Sequence, residues 1–189
     1  IDATNQDVFQ VPGDGTLTIG TGGNVDDALI STKTFERAAG NEIIFDLVGT
    51  GGRNEFYFGW GKNQDSSGSQ SNQMHGFNLN RDKEWESRIC RYGIEGSDTA
   101  CYRGPMEEYQ IFLKNKAYQY KIELKDDGAI YYVKGDLYTD WTLLYETSGY
   151  AATIAANYTK PRIAFFQKSW GGVISSITVK HVSALRDVA

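Results

Sequence analysis

A chain of 189 residues suits one large domain and is short for two of ordinary size. Its 19 Lys and Arg against 24 Asp and Glu give a net charge of −5 with no basic stripe, which excludes an electrostatic footprint for nucleic acid. No apolar run reaches the roughly 20 residues that a membrane-spanning helix needs, so no membrane insertion of that kind is expected.

Taken in chain order, nearly every patterned segment repeats with period two, the mark of strands. The chain opens on the polar run Ile1 to Gln6, which carries neither a signal-peptide pattern nor a start Met. That suggests a mature or excised domain of a larger modular protein. Strands are predicted at Thr16–Ile19 and Leu29–Thr32, and Phe35 to Ala39 is the best helical candidate, at about one turn. Ile43–Val48 follows. Phe56, Phe58 and Trp60 then alternate with Glu55, Tyr57 and Gly59. A polar Asn/Gln/Ser-rich stretch, Lys62 to Gln73, separates them from strands at Gly76–Leu79 and Trp85–Arg91. Another strand is expected over Tyr109, Ile111 and Leu113. Tyr118, Tyr120, Ile122 and Leu124 alternate with polar partners up to Asp127-Gly128, the clearest hairpin turn in the chain. Ile130–Val133, Thr142–Glu146 and Arg162–Gln167 come next, and Val173, Ile177 and Val179 line the last strand. One domain over residues 1–183 is expected, with 184–189 as a tail. A dozen strands punctuated by Gly turns describe an all-β sandwich.

Cys90 and Cys101 are the only cysteines, eleven positions apart around a polar, Gly-containing segment. An isolated pair closing a short loop reads as a disulfide, hence an oxidising compartment: secretion, or display on a cell or virion surface.

The run Tyr118 to Leu124, Asp127-Gly128, Ile130 to Gly135 and Trp141 to Tyr145 resembles the concanavalin A-like lectin/glucanase superfamily. So does the ending, Pro161 to Phe166, Gly171-Gly172 and Ile177 to Val179, and Phe35 through Trp60 is similar to its first half. The resemblance implies a two-sheet antiparallel jelly-roll sandwich. The superfamily holds lectins, carbohydrate-binding modules, laminin G-like domains, glycoside hydrolases and polysaccharide lyases, so it leaves function open.

Hydrolases of this fold carry a Glu-x-Asp-x-x-Glu strand, and the sequence lacks one. Glu42 and Asp46 would share a strand face about 13 Å apart, too far for a two-carboxylate mechanism. Glu84 and Glu86, about 7 Å apart, are allowed geometrically but are ringed by Arg81, Lys83 and Arg88. His75 alternates with Phe77 and Leu79, as a structural histidine would. No cofactor is required by any motif; Asp2, Asp26 or Asp27 could supply oxygens to a structural calcium.

Sugar binding needs aromatic faces for pyranose C–H groups and polar side chains for the hydroxyls. Trp85, Arg88, Tyr92, Tyr102, Gln167 and Trp170 supply these where strands meet long loops. Alternation puts Phe56, Phe58, Phe77 and Leu79 inward and therefore Tyr57 and Asn78 outward. Trp60 and Trp141, in register with apolar neighbours, are expected in the core. The expected function is an extracellular, non-catalytic module that binds a glycan. A lyase or hydrolase of the same fold, or an adhesive domain of a surface or phage tail protein, is the alternative.

Overall fold

A computed structural model describes residues 2–3, 9–10, 17–19, 27–49, 55–62, 73–80, 86–91, 100–102, 111, 115–148, 159–168 and 177–185. Side chains are described over 29–48, 57–62, 74–79, 111, 115–148 and 159–165. Every regular element among these residues is a strand. In order they are β1 (Asp2–Ala3), β2 (Phe9–Gln10), β3 (Leu17–Ile19), β4 (Asp27–Ile30), β5 (Glu42–Gly49), β6 (Glu55–Gly61) and β7 (Gln73–Asn80). There follow β8 (Glu86–Arg91), β9 (Ala100–Tyr102), β10 (Ala117–Lys125), β11 (Gly128–Gly135), β12 (Tyr138–Glu146), β13 (Arg162–Lys168) and β14 (Ile177–Leu185).

They form two seven-stranded antiparallel sheets. The first runs β1-β4-β13-β6-β7-β8-β9 and the second β12-β11-β10-β5-β14-β3-β2. The predicted sandwich stands. Strand β14 begins at Ile177 and runs through Leu185, so Ala184 and Leu185 belong to the sheet rather than to a tail. The expected strand at 109–113 lies outside the described residues except for Ile111, which is buried in the core.

The alternating residues explain the layers. Phe58 and Trp60 of β6 and Phe77 and Leu79 of β7 meet Phe45, Tyr120, Ile122 and Tyr131 of the second sheet in one core. Phe58 packs edge-on to Phe45 and Tyr120, with centroids 4.9 and 5.1 Å apart, and Phe77 stands edge-on to Tyr131 at 5.5 Å. Such contacts add to the burial of large rings, whose truncation to Ala costs about 3–5 kcal/mol. Two polar side chains in this core find hydrogen-bond partners within it. The Tyr120 hydroxyl donates to the Ile111 carbonyl at 2.5 Å. His75, structural as its alternation implied, shares a hydrogen bond with the Tyr131 hydroxyl at 2.9 Å, tying the two sheets together.

Three expectations are corrected. The segment Phe35 to Ala39 is not helical. Two of its amides donate sideways, Phe35 to the Pro161 carbonyl and Arg37 to the Thr159 carbonyl, which ties the segment to residues 159–161 in an extended path. Secondly, Trp60 is in the core but Trp141 is not. Strand β12 carries a bulge: Tyr145 pairs with Tyr131 and Leu143 with Tyr132, leaving Leu144 extra. One extra residue reverses the parity, so Leu144 and Tyr145 pack inward while Trp141 and Leu143 take the solvent face. The third concerns Tyr57 and Asn78. They occupy the face turned from the core, as alternation requires, yet they are 1% and 3% exposed and are not open strand residues.

Candidate functional site

The candidate site is the face of the first sheet turned away from the core, across β13, β6, β7 and β8. Register brings together residues distant in sequence. Tyr57 pairs with Asn78 and Asn78 with Arg88, so three predicted site residues form one row across β6, β7 and β8, continued by Phe166 of β13. The neighbouring row is Ala164, Gly59, Gly76, Cys90 and Cys101. On the other side lies Lys168, Glu55, Asn80 and Glu86.

The floor of this face is built by Tyr57 and the two glycines. The Tyr57 ring lies against Gly76, where a Cβ would run into its Cε2, Cζ and hydroxyl. Only glycine leaves room for a ring lying flat along the sheet. The Tyr57 hydroxyl donates to the Trp60 carbonyl at 2.7 Å and accepts from the Met74 amide at 3.3 Å. Those two groups flank the register shift between Trp60 and Gly61, where ladder bonds are interrupted. Tyr57 is therefore a structural plug of the bulge as well as a floor.

The remaining predicted residues fall in three groups. Arg88 takes the row position beside Asn78. Tyr102 pairs with Ile89, which pairs with core residue Phe77, and Gln167 pairs with Phe56, which pairs with core residue Leu79. These two positions thus alternate with the Tyr57–Asn78–Arg88 row rather than joining it. Trp85, Tyr92 and Trp170 lie outside the described residues, as does Asp26. Among the described residues no group of three or more His, Cys, Asp or Glu could hold a metal ion.

Cys90 and Cys101 sit directly opposite each other on β8 and β9. Sequence reading placed them at the ends of a loop; their register is a property of long-range pairing that spacing alone does not give. Directly opposed residues of an antiparallel pair have Cα atoms about 4.5–5.5 Å apart. That lies within the reach of a disulfide, about 4.4–6.8 Å.

The Glu55–Asn80–Glu86 row was also missed, because Glu55 and Glu86 are far apart in sequence. Two strand spacings separate them, about 9.5 Å. This is the wide limit of the range for an inverting pair of carboxylates.

No protein-family model matches this sequence, and no curated protein sequence matches it. Solved structures do. Peanut lectin with a 9mer peptide superposes with a TM-score of 0.60 at 9% identity, over 94% of this chain and 90% of the lectin. The seed lectin of Lotus tetragonolobus gives 0.58 at 9% identity, covering 95% and 92%. A glycosyl hydrolase family protein from Mycobacterium fortuitum gives 0.55 at 14% identity, covering 96% and 79%. With the two seven-stranded sheets, these likenesses establish that this chain has the jelly-roll sandwich fold of the concanavalin A-like lectins and glucanases.

Proposed function

We propose that the chain is an extracellular, non-catalytic module of a larger protein that binds a glycan on the outer face of its first sheet and the loops bordering it. The observation that carries this reading is the Tyr57–Asn78–Arg88 row beside Gly59 and Gly76. The Tyr57 ring fills the space that Gly76 leaves open, and Asn78 and Arg88 continue its row across β7 and β8. In this reading buried Tyr57 and Asn78 are the floor, and Arg88, with Trp85, Tyr92 and Trp170 from the bordering segments, contacts the sugar. Calcium is not required by it. Lectins and glycosyl hydrolases among the structural relatives support a carbohydrate ligand. Among the described residues no helix is long and apolar enough to cross a membrane.

Catalysis is the second reading, favoured by the Glu55–Glu86 placement alone. Against it, the central row of the same face offers Asn78 where a carboxylate would serve, and His75 is committed to Tyr131 inside the core. A glycan array with wild type and Arg88→Ala separates ligand from no ligand. Binding by the wild type that falls at least about fivefold in the variant supports the site. Equal signals from both proteins would remove Arg88 and this face from the reading.

A further inference from the structure

The other solvent face, that of the second sheet, breaks the polar pattern expected of it. An antiparallel sheet with one buried face normally shows polar residues to water. Across β10, β11 and β12 the solvent row instead reads Lys121, Tyr132 and Leu143, with Trp141 two residues along β12. Leu143 is 51% exposed. The Lys121 ammonium stands 4.4 Å from the Tyr132 ring centroid and 5.2 Å from that of Trp141. Both rings therefore approach one cation from neighbouring strands.

Among the described residues the charges nearest the two rings are largely paired internally, with Lys134 further along β11 outside these pairs. Lys121 pairs with Glu42 at 3.5 Å, Lys125 with Glu146 at 2.5 Å, and Gln119 donates to Asp46 at 2.7 Å. Glu123, Glu146 and Glu42 act electrostatically on the Tyr132 phenol. An anionic partner has no free cation to meet in Lys121 or Lys125. A protein partner would ask for a larger apolar core, and Leu143 and Leu137 are the exposed large aliphatic residues among those described. What is present is two aromatic rings, an apolar edge, carboxylate acceptors, and two donors, the Tyr132 hydroxyl and the Trp141 indole N–H, that no other described residue engages.

We propose that this aromatic pair is a second carbohydrate platform, taking a neutral glycan chain laid across β11 and β12. Its rings stack on Trp141 and Tyr132, and its hydroxyls meet Glu42 and the two ring donors. The platform lies on the opposite side of the sandwich from the face proposed above and stands or falls independently of it. A chain with two such faces would bridge neighbouring glycan strands.

The test is affinity electrophoresis in gels containing barley β-glucan, xylan or galactomannan, with alginate as the anionic comparison. Wild type, Trp141→Ala, Tyr132→Ala and Arg88→Ala are compared, each with near-ultraviolet circular dichroism to establish folding and sedimentation to establish mass. The expected result is retardation of the wild type by at least one neutral polysaccharide, weakened at least about fivefold in each of the two aromatic variants. Retardation lost only in Arg88→Ala would leave the first face standing and overturn this one. The proposal is equally overturned by wild type that no neutral polysaccharide retards, by retention unchanged in both aromatic variants, or by a dimer that Trp141→Ala converts to monomer.

Discussion

Substituting Gly76 by Ala tests whether Tyr57 is the floor of the first-sheet face. The added Cβ would meet three atoms of the Tyr57 phenol. The ring cannot slide aside freely, because its hydroxyl is bonded to the Trp60 carbonyl and the Met74 amide and the side chain is fully enclosed. Overpacking of this kind costs about 1–3 kcal/mol, and disturbing two hydrogen bonds adds about 1 kcal/mol. The expected destabilisation is thus about 2–4 kcal/mol, or roughly 4–16 °C in melting temperature for a domain of this size. Urea unfolding of wild type, Gly76→Ala, Tyr57→Leu and the double variant gives the coupling directly. Leucine lacks the three colliding atoms, so Gly76→Ala should cost at least about 1 kcal/mol less in that background. A neutral Gly76→Ala, or an equal cost in both backgrounds, would refute the packing described for this face.

Three more expectations follow from particular groups. Cys90 and Cys101 should be found oxidised to a disulfide, adding about 2–3 kcal/mol, so intact mass with and without reductant before alkylation should differ; two freely alkylated thiols in native protein would contradict it. Tyr131→Phe removes the hydroxyl shared with His75 in the core and should cost about 1–3 kcal/mol by denaturant unfolding, a value near zero meaning that the bond between the sheets contributes nothing. Burial, helped by neighbouring Tyr118, holds the Tyr120 phenol well above its usual range. The folded protein keeps that proton where the unfolded chain releases it, so stability should be full below about pH 10 and decline above it. Stability that stays level to pH 11, with Tyr120 ionising like a free phenol at 295 nm, would disprove that burial.

The sandwich was legible because period-two alternation reports directly which face is buried, as in Tyr118 to Leu124. Alternation gives a face, however, and not its exposure. Tyr57 and Asn78 were assigned to the correct face, but a ring lying on a glycine across the strand is invisible to a one-dimensional pattern. Trp141 was misplaced because the bulge at Leu144 inverts parity, and Trp141, Leu143 and Tyr145 look like one uninterrupted stripe. The rows Tyr57–Asn78–Arg88 and Glu55–Asn80–Glu86 depend on register between three strands, which hairpin spacing does not fix when the connections are long.

The central claim is that this jelly roll holds a glycan without cleaving it. Its most direct test pairs retention with product release, incubating the protein with the polysaccharide that retards it best and assaying new reducing ends and unsaturated products over time. Retention with no product above the buffer control is the expected result. Steady release of reducing ends that Glu55→Gln or Glu86→Gln abolishes would contradict it and make the Glu55–Asn80–Glu86 row an active site.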